Sequence, residues 1–366
     1  MMKTLGALVM WLLFPAGLWA EPLRIGTTFS AKQSAYLRLD WKETYHATLG
    51  LGFDLIRLGA YWDELEPRED AYHFDDLDWA LREAKAKGVP IILTIGMKAP
   101  RWPEYFIPPW VLRQLRLRRG REVSQEAYLR ERTLRFLQAV VSRYRDEEII
   151  HSWQVENEPL DRAGPGYWWI GRPFLEQEIA LVRALDPSHR PIVMNAATHP
   201  HRFLRFLTSF FTRHDAIAEA LELCDVLALN VYPLIGHRWP WKRSYYRTRA
   251  EGRLSYLSRI MEQANDRDIP VWITELQAEP WEPGQLVYLE AAHPPTSHPE
   301  MLQPYVQEMR SLGIETILLW GVEYWYYRKT RHGDPTWWEA VGTLLQRLSA
   351  SRPRASSPAS PWSPTG

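Results

Sequence analysis

Eight short, β-branched apolar runs alternate with longer amphipathic runs along most of this 366-residue chain, and that alternation limits the fold more than any other feature. The strand-like runs fall at 23–27, 55–59, 90–95, 149–155, 191–195, 226–231, 270–274 and 316–320. Helical patterns lie between or after them at 75–87, 126–145, 174–185, 216–223, 254–266, 299–312 and 337–348. Gly or Pro stops several helices just before a strand, as in Lys87-Gly88-Val89-Pro90 and Leu312-Gly313. The strands read as nearly continuous apolar runs, which suits a parallel sheet covered by helices. Eight β/α units without a phosphate-binding GxGxxG favour a closed (β/α)8 TIM barrel over an open dinucleotide-binding sheet. The expected fold class is therefore α/β, as a single barrel domain spanning 21–348.

The two ends read differently. Residues 1–20 have Lys3, then an apolar run from Leu5 to Leu13, then Pro15, Gly17 and a cleavable Ala20. This is the layout of a secretory signal peptide and implies an extracytoplasmic protein, secreted or periplasmic. Leu18 stands where a small residue is preferred, which leaves an uncleaved N-terminal anchor as the alternative. Residues 349–366 are rich in Ser, Pro and Ala and read as a disordered tail.

Composition removes several function classes. Lys plus Arg and Asp plus Glu are both 44, so no global positive field exists to hold a nucleic acid. The single Cys224 excludes an intramolecular disulfide and a Cys-based zinc cluster. His199 and His201 follow the fifth strand, but further metal ligands are not evident, so neither a metal nor an organic cofactor is expected. Nothing in the sequence marks a stable protein partner. The chain has 19 Trp and 17 Tyr. Their flat apolar faces suit a core, or a surface that stacks on sugar rings. Many lie in segments after strands, where a barrel builds its active site: Trp102 after the third, Trp168 after the fourth, Trp241 after the sixth and Trp281 after the seventh.

Two strand ends carry carboxylates. Val155-Glu156-Asn157-Glu158-Pro159 closes the fourth strand, and Val271-Trp272-Ile273-Thr274-Glu275 closes the seventh. Acids there are costly to bury without a purpose. Both would face one barrel mouth, where one carboxyl can donate a proton to a glycosidic oxygen and the other can attack or activate water. The alternatives are a structural ion pair between Glu275 and Arg57, and Glu156 in place of Glu158, since the two share strand parity. Glu279 is a second candidate nucleophile, and Glu323 is placed either to bind a sugar hydroxyl or to pair with Arg328.

At these residues the sequence resembles the glycoside hydrolases of clan A, the retaining (β/α)8 enzymes. The resemblance implies Glu158 as acid/base, Asn157 as a contact to the sugar 2-hydroxyl and Glu275 as nucleophile. It implies Arg57 and Tyr232 beside the nucleophile and Trp320 as the floor of the sugar subsite. The stretch from Arg57 through Trp62 to Pro67, with 72–78 after it, is similar to the strand-two signature of the β-galactosidase and β-xylosidase barrels. Trp62, Trp102 and Glu323 are expected among the substrate-binding residues. Lys98 and Asn230 stand where cellulase-like members carry His. The expected activity is hydrolysis of β-glycosidic bonds in an oligo- or polysaccharide, by double displacement. An envelope-remodelling transglycosylase and an inactive carbohydrate-binding barrel are the alternatives, with a metal hydrolase behind them.

Overall fold

A computed structural model describes residues 23–198, 215–238, 241–283 and 294–350. The expected leader at 1–20, His199, His201 and nearly all of the expected tail lie outside these residues. Eight parallel strands close into a barrel in the order β1 (Arg24–Phe29), β2 (Leu55–Gly59), β3 (Ile91–Ile95), β4 (Ile150–Val155), β5 (Ile192–Ala197), β6 (Val226–Val231), β9 (Val271–Gln277) and β10 (Thr316–Trp320). Each matches one expected strand, displaced by at most a few residues. β9 runs on through Glu275 to Gln277, so the expected strand end is an interior position. The remaining two strands, β7 (Leu234–Arg238) and β8 (Arg243–Arg247), pair antiparallel outside the barrel, where the sequence reads as an aromatic loop.

Helices pack outside the strands, and local chemistry fixes their ends. The helix Asp75–Lys87 has Asp75, Asp76 and Asp78 in its first turn and Lys85 and Lys87 in its last, which complements the helix dipole. Gly88 then caps it in the left-handed conformation at φ 65°, and the chain turns into β3. The helix Thr336–Ala350 closes the domain and takes in the first two residues of the expected tail. The helix Val322–Arg331 occupies the segment after β10 and buries Tyr324, Trp325 and Tyr326. Those aromatics are core, not sugar platforms. No helix among the described residues is long and apolar enough to cross a membrane.

The barrel interior is layered. Leu55, Ile92, Val193, Ala228, Trp272 and Leu318 form a buried apolar cluster inside it. Side chains alternate across a strand, so the residue two positions on points the same way. Those residues are Arg57, Thr94, Asn195, Asn230, Thr274 and Trp320. The inward stripes therefore begin apolar and end, at the C-terminal mouth, in polar groups or in Trp320. Below the apolar layer, Arg24 lies 5.3 Å from the Trp272 ring centroid and closes the opposite end.

Candidate active site

Arg57 stands at the centre of the mouth and is fully buried. Its Nε donates to Thr28 Oγ1 at 2.9 Å, one Nη to Gln154 Oε1 at 3.3 Å and the other to Glu275 Oε1 at 2.5 Å. Each nitrogen of the guanidinium fork is thus held by a different strand, β1, β4 or β9. Tyr232 Oη donates to the other oxygen of Glu275. The phenol is pushed far above its ordinary value, first by burial and then by the charge of Glu275, so it remains a donor. A register shift aims Glu275: Leu229 faces Ile273 but Asn230 faces Glu275, a bulge in β9. Bulges re-aim side chains in this way beside active sites.

Glu158 is held differently. Asn230 Nδ2 donates to its Oε1 at 2.6 Å, and its backbone N–H donates to Asn195 Oδ1 at 2.7 Å. Asn230 Oδ1 in turn accepts from Thr274 Oγ1 at 2.8 Å. One neutral amide therefore links Glu158 to the residue next to Glu275. Burial pushes the Glu158 carboxyl up to about 8, and the charge of Glu275 adds to the shift. It is protonated at neutral pH and able to donate. Asn195 Nδ2 donates to Asn157 Oδ1 at 2.9 Å. The oxygen of Asn157 is committed to the protein, so its NH2 is the end left for a ligand.

Glu156 and Glu158 do not share a face. Both have positive φ, 61° and 45°, which breaks strand alternation just past β4. The Glu156 carboxylate turns back to accept the backbone N–H groups of Met97 at 2.8 Å and Lys98 at 2.6 Å. Gly96 makes room for it, because a Cβ there would stand 2.2 Å from Glu156 Oε1. Beside it sits buried Glu178, pushed well above the carboxyl range by burial and the charge of Glu156. Glu156 is itself pushed up to about 7 by burial.

The structure corrects two expected sugar contacts. Trp62 is fully buried, stacks on Phe136 at 5.3 Å and donates Nε1 to Glu66. The short helix Trp62–Leu65 turns its indole into the core, away from any ligand. Glu323 is also fully buried, accepting from Ser30 N–H at 2.5 Å and from Arg101 at 2.5 Å. It does not pair with Arg328, which bonds Asp334. Arg101 donates as well to Glu279 at 2.5 Å. The Arg101 guanidinium lies 3.9 Å from the ring centroid of Trp320, so one face of that indole is covered. Trp102 is 69% exposed and Trp281, edge-on to Tyr232 at 4.8 Å, is 46% exposed. The β7–β8 ribbon braces the Trp281 segment through Gly236 N–H on Trp281 O at 2.6 Å.

Thr28, Gln154 and Asn195 were not singled out in the sequence, although Arg57, Glu158 and Asn157 lean on them. Asn195 falls at the end of the apolar run 191–195, inside β5, and the two-residue step from Val193 is the signal that finds it. Among the described residues no group of His, Cys, Asp and Glu is arranged to hold a metal ion.

The closed barrel, the paired mouth carboxyls, and an arginine and a tyrosine on one of them form the arrangement that the resemblance to glycoside hydrolase clan A implies. Comparisons with known proteins agree. A glycoside hydrolase family model described as β-galactosidase matches residues 34–168. The curated β-galactosidase Bga of Halorubrum lacusprofundi is 26% identical over 130 residues, 32% of this chain and 18% of that protein. A solved β-galactosidase from the same haloarchaeon superposes with a TM-score of 0.60 at 16% identity, covering 93% of this chain and 60% of that one. The β-galactosidase of the psychrophilic Marinomonas ef1 gives 0.59 at 14% identity, covering 89% and 60%. A Streptomyces cattleya glycosidase solved with Manβ1-4GlcNAc gives 0.60 at 14% identity, covering 90% and 82%. The chain thus spans less than a fifth of the curated relative in sequence and well under two thirds of the solved β-galactosidases.

Proposed function

We propose that this protein is a retaining β-glycosidase, with Glu275 as nucleophile and Glu158 as acid/base. The observation that carries the reading is the unequal treatment of the two carboxyls. Glu275 is ion-paired with Arg57 and hydrogen-bonded by Tyr232, whereas Glu158 receives only an amide and is pushed up to about 8. Environments that separate two carboxyls in this way assign the acid and its partner. Glu275 attacks the anomeric carbon while Glu158 gives its proton to the leaving oxygen. Glu158 then takes a proton from water, whose oxygen displaces Glu275 from the sugar. The NH2 of Asn157 is placed to donate to the sugar beside that bond.

β-Galactosides are the first substrates to test, because the matched family model and relative are β-galactosidases. We further propose that residues 1–20 direct export, so the enzyme meets its saccharide outside the cytoplasm. The deciding experiment measures turnover on a panel of aryl β-glycosides and oligosaccharides with Glu275→Ala and Glu158→Ala alongside. Loss in Glu275→Ala, with azide rescue of Glu158→Ala on an activated aryl glycoside, supports the reading. Saccharide binding without turnover in the wild type replaces it with a binding barrel.

A further inference from the structure

The glycosidase mechanism uses side chains from β2, β4, β6 and β9, and none from the turn 98–105 that follows β3. Lys98 and Tyr105 face each other there across an antiparallel bridge. Ala99 N–H donates to Glu104 O at 2.9 Å, and Phe106 N–H to Met97 O at 2.9 Å. Arg101 and Glu104 both adopt left-handed φ, 85° and 71°. Side chains of L residues are strained there and persist only when their surroundings hold them. Arg101 is so held, by Glu279, Glu323 and the Trp320 ring. Trp102 stands out between the two strained residues, its indole largely exposed.

The Glu104 carboxylate points back toward the acid/base. Its Oε2 lies 3.3 Å from Lys98 Nζ, and the same Nζ donates to Glu158 O at 2.6 Å and Asp161 O at 3.3 Å. Oε2 is shielded from solvent yet makes no directed hydrogen bond among the described residues. The side chain as a whole is 23% exposed, so the carboxylate that Lys98 anchors through Oε2 is partly open to a ligand hydroxyl, which donates strongly to a carboxylate. Burial raises the Glu104 carboxyl, and the Lys98 ammonium opposes that rise. The lysine tether sets Glu104 on the Glu158 side. That is the side on which the acid/base meets the departing oxygen.

We propose that the turn 98–105 builds the leaving-group subsite, with Trp102 as a wall for one pyranose face and Glu104 accepting a hydrogen bond from a hydroxyl of the same ring. The ligand class is a hydroxylated sugar leaving group, in contrast to an aryl or alkyl aglycone. This inference rests on the glycosidase reading above.

The test compares the full chain with Glu104→Gln and Trp102→Ala on two substrates that share the sugar to be transferred. One is a β-linked disaccharide, the other its p-nitrophenyl β-glycoside, with β-galactosides used first. Each substitution is expected to lower kcat/KM on the disaccharide about 10- to 100-fold, chiefly through KM. For Glu104→Gln the nitrophenyl glycoside should change less than about 3-fold, because it offers no hydroxyl to Glu104, and it is on this variant that the two substrates are compared. Equal losses on both substrates would show a turn that merely holds the mouth together, and overturn the proposal. So would an unchanged disaccharide rate, or a wild type that turns over only the nitrophenyl glycoside. A wild type inactive on the whole glycoside panel overturns the glycosidase reading instead, and this inference with it.

Discussion

Two clusters at the mouth use the same ingredients. In one, Arg57 faces Glu275, with Glu158 across the opening. In the other, Arg101 faces Glu279 and Glu323. Each brings two carboxyls to strand or helix ends around a buried guanidinium. The difference is in who holds the second carboxyl. Arg101 binds both of its acids, and that closes the cluster into a brace between the turn 98–105 and the segments after β9 and β10. Arg57 binds only Glu275 and leaves Glu158 to an amide, so Glu158 can keep a proton.

The largest expected effect separates the clusters most sharply. Glu275→Ala should lower kcat by more than about 10⁴-fold with the barrel intact, while Glu279→Ala should leave the chemical step within about 10-fold. Steady-state kinetics with circular dichroism as the folding control checks both. Glu158→Ala comes next, losing about 10²- to 10⁴-fold. In the wild type, activity should fall as pH rises through about 8, because the acid then loses its proton. A kcat/KM profile whose alkaline limb persists in Glu158→Ala assigns that limb to another group and removes Glu158 as the acid.

Arg101→Met probes the brace. It strands two buried carboxyls, and stability should drop by about 3–5 kcal/mol, visible as a Tm lower by roughly 10 °C. Turnover on an aryl glycoside below the melting range should remain within about 10-fold of wild type. A catalytic collapse without loss of Tm would merge the two clusters into one machine. Asn230→Ala should cost about 10-fold in kcat and move the alkaline limb upward, since the lost bond favours the charged form of Glu158. A limb that moves downward counts against that amide as the partner of the acid.

The smallest effect concerns the buried pair beside the mouth. Glu156 and Glu178 are both raised on folding. Groups raised in the folded state bind protons more tightly there than in the unfolded chain. For Glu156 that contribution to stability is complete below the ordinary carboxyl value of 4.5 and is lost as pH rises through about 7, and the contribution of Glu178 likewise falls as pH rises. Glu178→Gln removes one of the two titrations. Its Tm should therefore fall by a few degrees less than that of wild type between pH 5 and 8. Identical slopes would show that other mouth carboxyls govern the pH dependence.

Much of this was legible in the chain. β-branched runs between Gly- and Pro-stopped helices marked all eight barrel strands, because parallel strands buried on both faces leave an apolar signature. Strand position put Glu158 and Glu275 at one mouth, and the resemblance to clan A implied Arg57 and Tyr232 beside Glu275. Three things were hidden. Glu156 and Glu158 share parity on paper, and only the positive φ after β4 separates them. Trp62 and Glu323 look like mouth residues in one dimension, but the helices they begin turn both side chains inward. The β7–β8 ribbon pairs Leu-Ile-Gly-His-Arg with Arg-Ser-Tyr-Tyr-Arg and lacks the apolar alternation that marks a buried strand. Local pattern reveals burial, and these features depend on directions that only the closed barrel sets.

Asn230 reaches from Thr274, beside Glu275, to Glu158, and its amide neither titrates nor has length to spare. It serves as a gauge block between the two segments that bear these carboxyls, and it sets their interval from below. Under the roles proposed for Glu158 and Glu275, the turn 98–105 or the β7–β8 ribbon could be recut to admit a new saccharide with that interval unmoved.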